Sequence, residues 1–154
     1  MQVIVTLLFI LSVASTACAS DSISLGVRGG AAAGRSSYFT EAFGDLYLNR
    51  LISVGATAGY FLIDNNKNLS AKRDASVPVT ALFKIHVPTP IISPYAGLGE
   101  ALVFHDKRRV NGTPVALAGI NLGLGPTPIF LNIEYRRQFD DKLDFLSGGI
   151  GVGF

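Results

Sequence analysis

The feature that most constrains this chain is a repeat of period two. From residue 20 onward the sequence divides into segments of about ten residues in which apolar and polar side chains alternate, separated by polar or Pro/Gly-rich stretches. Segment 129–139 shows it most clearly. Ile129, Leu131, Ile133 and Tyr135 fall on one face, and Asn132, Glu134, Arg136 and Gln138 on the other. Segment 76–87 repeats the pattern, with Val77, Val79, Ala81, Phe83, Ile85 and Val87 set against Thr80, Lys84 and His86. Eight such segments are predicted, at about 22–32, 38–48, 51–63, 76–87, 94–104, 114–124, 129–139 and 142–154. Beyond residue 20 no apolar run approaches the roughly 18 residues of a membrane helix, so a helical membrane protein is excluded.

Composition says what environment the strands must suit. Hydrophobic residues make up 49% of the 154, charged residues only 16%, and mean hydropathy is +0.41, which is apolar for a domain surrounded by water. With 13 basic against 11 acidic side chains the charge is too even for a nucleic-acid-binding arm. Parity alone does not say which face of a barrel points outward, because a soluble lipocalin-like barrel would hide the apolar set. The connections decide it. More than half of the charged side chains fall in the connections after odd segments, at 33–37, 64–75, 105–113 and 140–142. The connections after even segments hold only Arg50, and Pro88, Pro90, Pro94, Pro126 and Pro128 cluster in or beside them. Charged loops at one end and tight turns at the other are the asymmetry of outer-membrane barrels.

Residues 1–19 read as a secretory signal. They carry no charge, hold an apolar run from Val3 to Val13, and end in Ala17-Cys18-Ala19, a small-x-small cleavage pattern before Ser20. The basic residue usual near the start of such segments is missing. Cleavage would remove Cys18 and leave residues 20–154 as a single barrel domain without cysteine. Both termini are expected on the periplasmic side, with no further domain after Phe154.

The resemblance becomes specific at the end of the chain. Ser147-Gly-Gly149-Ile-Gly-Val152-Gly-Phe154 resembles the terminal strand signal of outer-membrane barrels, polar-x-Gly-x-x-apolar-x-aromatic. Ser93-Pro-Tyr95-Ala-Gly97-Leu-Gly99 and Asn132-Ile-Glu-Tyr135-Arg136 also resemble strands of the small OmpA/OmpX-like and opacity-type barrels. That resemblance implies an all-β, eight-stranded antiparallel up-and-down transmembrane barrel in the outer membrane of a Gram-negative bacterium. It implies recognition of Ser147, Gly149, Val152 and Phe154 by the barrel-assembly machinery. Strand addition at an open edge would supply backbone partners, with Val152 and Phe154 on the lipid side.

Parity places Arg28, Glu41, Asp45, Lys84, His86, Glu100, Glu134, Arg136 and Gln138 inside. An eight-stranded barrel is only wide enough to be filled by side chains, so these groups are expected to form a satisfied polar plug before they line a channel. A tight final turn at Asp140-Asp141 would set Phe139 opposite Lys142, Arg137 opposite Asp144 and Tyr135 opposite Leu146. Tyr60, Tyr95, Phe139 and Phe154 are candidates for the interfacial aromatic belts.

Chemistry is harder to find. The two histidines, His86 and His105, lack the His-x-Ser pair of lipid A deacylases and fall at opposite ends of the barrel, which argues against a shared metal ion. Gly119-Ile-Asn-Leu-Gly123-Leu-Gly125 lacks the lysine and helix of a phosphate loop. No catalytic constellation, cofactor or metal site is expected. Lys107-Arg108-Arg109 is the most distinctive exposed feature, three adjacent cations suited to lipopolysaccharide phosphates. The reading is a monomeric barrel with a structural or cell-surface interaction role, in contact with outer-membrane lipid and lipopolysaccharide and with no nucleic acid. The alternatives are a lipid A-modifying enzyme with an unrecognised site, a narrow pore, and last a soluble lipocalin-like binder.

Overall fold

The computed structural model describes residues 23–33, 37–63, 75–104, 110–140 and 142–154. Within them lie eight strands: β1 (Ile23–Ala33), β2 (Ser37–Tyr47), β3 (Ile52–Ile63), β4 (Ala75–His86), β5 (Ile92–Phe104), β6 (Val110–Gly123), β7 (Ile129–Gln138) and β8 (Leu143–Gly153). Each pairs antiparallel with the next, and β1 pairs with β8, so the sheet is a closed barrel in chain order. Closure leaves no unpaired edge, and every strand can satisfy its backbone inside the sheet. The leader 1–19, Arg35, the charged residues between 64 and 74, His105, Lys107, Arg108, Arg109 and Asp141 lie outside the described residues.

The final hairpin has the expected register, with Arg137 opposite Asp144 and Tyr135 opposite Leu146. Lys142 carries φ 49, the left-handed conformation that a tight hairpin turn imposes on one of its residues. Strand β6 differs from the expectation. It begins at Val110 rather than near 114, because Val110 to Thr113 continue the ladder against Phe104 to Ala101. Gly112 and Thr113, which fall in the expected connection 105–113, pair with Leu102 and Ala101. In the barrel Pro114 lacks an N–H to give but still offers its carbonyl, which accepts from the Phe139 N–H at 3.1 Å.

The barrel is inside-out. Leu25, Val27, Val54, Phe83, Ile85, Leu98, Leu131, Ile133 and Ile150 are exposed on the outer surface, whereas Arg28, Glu41, Asp45, Lys84, Glu134 and Arg136 are buried in the lumen. An aqueous barrel would reverse these sets, and a hydrocarbon surround requires this one. Two ends can be told apart. The connections after odd strands form the charged end, and those holding Pro88, Pro90, Pro126 and Pro128 form the proline end.

Glycines make room for the long lumen side chains. A Cβ on Gly149 would overlap the Arg28 Cβ and the Val27 carbonyl, so only glycine lets Arg28 cross the inner surface of β8. Gly119 on β6 does the same for the Tyr95 ring.

Candidate functional site

The lumen is organised in three tiers. Nearest the charged end is an aromatic cluster. Phe39 and Phe61 stack at 5.3 Å, and Phe145 meets them edge-on at 5.6 and 5.3 Å, with Ala32 packed alongside. Leu82, Ala101, Val115 and Leu117 form a second apolar cluster along β4 to β6, which reaches Tyr95. Such rings and branched side chains exclude water from the space they fill.

The middle tier is ionic. Arg28 on β1 bonds to Glu41 on β2 through Nε and lies 2.6 Å from Glu134 Oε2 on β7. Arg136 reaches both of the same carboxylates, at 2.9 Å to Glu41 and 2.8 Å to Glu134. Two guanidiniums therefore alternate with two carboxylates. This arrangement allows the burial of four charges, since each is both paired and hydrogen-bonded. Tyr95 extends the network from the opposite wall. Its hydroxyl donates to Glu134 Oε2 at 2.8 Å and accepts from Asn132 Nδ2 at 2.8 Å, while Asn132 Oδ1 accepts from Arg28. Arg28 also stands 5.0 Å from the Phe43 ring centroid.

The third tier lies toward the proline end. Lys84 contacts Asp45 at 2.8 and 3.0 Å, of which the longer, to Oδ2, is the directional hydrogen bond. The shorter contact, to Oδ1, is off-direction and is held by charge. Lys84 also approaches the Tyr95 ring, 5.1 Å from its centroid. Ser53 Oγ and His86 Nε2 lie 2.8 Å apart, and the His86 ring sits between Tyr47 and Tyr95. Ser53 has no exposed surface. Among the described residues no group of three His, Cys, Asp or Glu could hold a metal ion.

Of the expected lumen residues, Arg28, Glu41, Asp45, Lys84, His86, Glu134, Arg136 and Gln138 are all buried inside. Glu100 is not. It is exposed, alternating with the buried Ala101, and lies on the outer surface beside Leu98 and Leu102. Its place in the run Ala96, Leu98, Glu100, Leu102, Phe104 carries that parity, which the habit of putting charges inside overrides. With Glu100 outside, the described lumen balances: Arg28, Lys84 and Arg136 against Glu41, Asp45 and Glu134. Tyr95 is the second correction. It is 4% exposed and serves the ionic network, so it does not belong to an aromatic belt. Gly97, Gly99 and Ala101, which share its face, are the small residues of a crowded interior and the signal that could have found it. Tyr60, Phe139 and Phe154 are exposed on the outer surface.

The terminal strand places its motif on both faces. Ser147 is buried and its Oγ donates to the Glu134 carbonyl at 3.2 Å. Gly149 underlies Arg28, while Val152 pairs with Leu25 and Ile129, and Phe154 is exposed. Near the charged rim, Tyr135 donates to Asp144 Oδ1 at 2.7 Å, and Arg137 lies 3.6 Å from the same atom.

No known family model matches the sequence, and comparison with curated proteins finds no match. Solved structures do match. A designed transmembrane β-barrel aligns with TM-score 0.65 at 14% identity, over 86% of this chain and 94% of its own. The N-terminal barrel domain of Pseudomonas aeruginosa OprF aligns with TM-score 0.62 at 13% identity, over 87% and 98%. Neisserial surface protein A aligns with TM-score 0.58 at 17% identity, over 86% and 97%. At these identities the likeness is one of backbone, and the chain has the fold of the small eight-stranded transmembrane β-barrels.

Proposed function

We propose that this chain is a monomeric outer-membrane barrel of a Gram-negative bacterium with a structural or interaction role at the cell surface. The observation that carries the reading is the inside-out barrel, with six charges paired in its lumen and an apolar surface outside. The proline end would face the periplasm and the charged end the exterior. The packed tiers of Phe39, Phe61 and Phe145 above the Arg28 network support a plug rather than a conducting path. Val152 and Phe154 on the lipid side support their use as a signal for the barrel-assembly machinery.

Outer-membrane fractionation followed by gel mobility with and without boiling tests this reading. A closed barrel in the membrane fraction should migrate differently until boiled. A soluble protein with unchanged mobility would overturn the reading. We further propose that Lys107, Arg108 and Arg109 contact lipopolysaccharide phosphates, with outer-membrane lipid as the general partner. Replacing all three by Ala should weaken lipopolysaccharide binding, and unchanged affinity would reject the contact.

A further inference from the structure

The proline end of the lumen is open. A cavity of about 620 Å³ enters the barrel there and ends against His86 and Ser24, within the size range of small-molecule sites. Both residues line it while almost fully buried, at 3% and 2% exposure. A concave space of this size with a few convergent polar groups is where a small ligand binds.

The chemistry of the walls says which. Asn121 uses its Oδ1 to accept from Asn132, and Asn49 uses its Oδ1 to accept from the Leu51 and Ile52 N–H groups. Each therefore has its NH₂ to offer, and Arg50 adds a guanidinium at the mouth. No Asp or Glu lines the cavity among the described residues, and Asp45, opposite Ser24 on β2, is ion-paired with Lys84. Pro88, Ile91 and Phe130 give the wall apolar patches, between which Tyr47, Ser93 and Thr127 also line it. We infer that this vestibule binds a small organic anion, a carboxylate or a phosphate ester, with its charged group toward Asn49, Arg50 and Asn121 and its apolar body against the proline rim.

The inference concerns the barrel itself and stands apart from any role at the cell surface. The test is an NMR titration of the full barrel in lipid nanodiscs, following the backbone amides of Ser24, His86 and Asn121. The probes are benzoate, benzyl phosphate and, as the uncharged control, benzyl alcohol. Saturable shifts with either anion, and none with the alcohol, are expected. Whichever anion binds more tightly identifies the charged group the site takes. Arg50→Gln, at an exposed turn position, should weaken binding about tenfold by removing a charge-assisted contact. Asn121→Leu should weaken it too, which tests the site in a second background should either variant assemble poorly. Shifts that do not saturate, an equal response to benzyl alcohol, or unchanged affinity in both variants would overturn the inference.

Discussion

Arg28 and Glu134 form an ion pair at 2.6 Å across the inner surface of β8, the strand that separates β1 from β7. The contact skips a strand because Gly149, opposite Arg28 on one side and Asn132 on the other, has no side chain to block it. Barrel closure between β1 and β8 is thus reinforced by a side-chain bridge that the backbone ladder does not supply.

Gly149→Ala should therefore damage the closure. Its methyl would overlap Arg28 and the Val27 carbonyl, an overpacking expected to cost about 1–3 kcal/mol. Gly148→Ala is the control, since the nearest atom to its added Cβ is the Asn132 carbonyl oxygen at 3.9 Å. Urea unfolding in lipid vesicles should separate the two variants, and equal stabilities would show that the bridge does not depend on Gly149.

Removing a single member of the four-charge ring should be worse than removing a matched pair. Arg28→Met leaves Glu41 and Glu134 sharing Arg136, and a broken buried pair costs about 3–5 kcal/mol. Adding Glu41→Gln restores the balance, so the double variant should be more stable than the sum of the singles by about 0.5–3 kcal/mol. Simple additivity in the same unfolding measurement would mean that the ring does not act as a unit.

The two glutamates that look alike in sequence should behave oppositely. Glu134→Leu leaves Arg28, Arg136 and the Tyr95 hydroxyl facing a hydrocarbon side chain, and should destabilise by about 3–5 kcal/mol. Glu100→Leu exchanges an outward carboxylate for a residue matching Leu98 and Leu102, and should leave stability unchanged or raised. Comparable losses for both would place Glu100 in the interior after all.

Deletion of Phe154 should lower the yield of heat-modifiable barrel in the outer membrane without changing the lumen network, because its side chain lies outside. Normal yield in fractionated cells would remove the terminal residue from the assembly signal.

Much of this structure is legible in the sequence. Alternation in segments such as 76–87 and 129–139 determines strands, their number and, for most positions, the face, because a side-chain period of two is a property of the extended backbone itself. It also places Lys84, Glu134 and Arg136 inside and anticipates Arg137 opposite Asp144, since a tight hairpin fixes its own register locally. What period two leaves open is height. Which lumen residues share a level depends on the stagger of eight strands around a closed sheet, and that stagger is settled only when β1 meets β8. Hence the meeting of Arg28 with Glu134, the recruitment of Tyr95 to both Asn132 and Glu134, and the use of Gly149 as a passage belong to the tertiary structure alone.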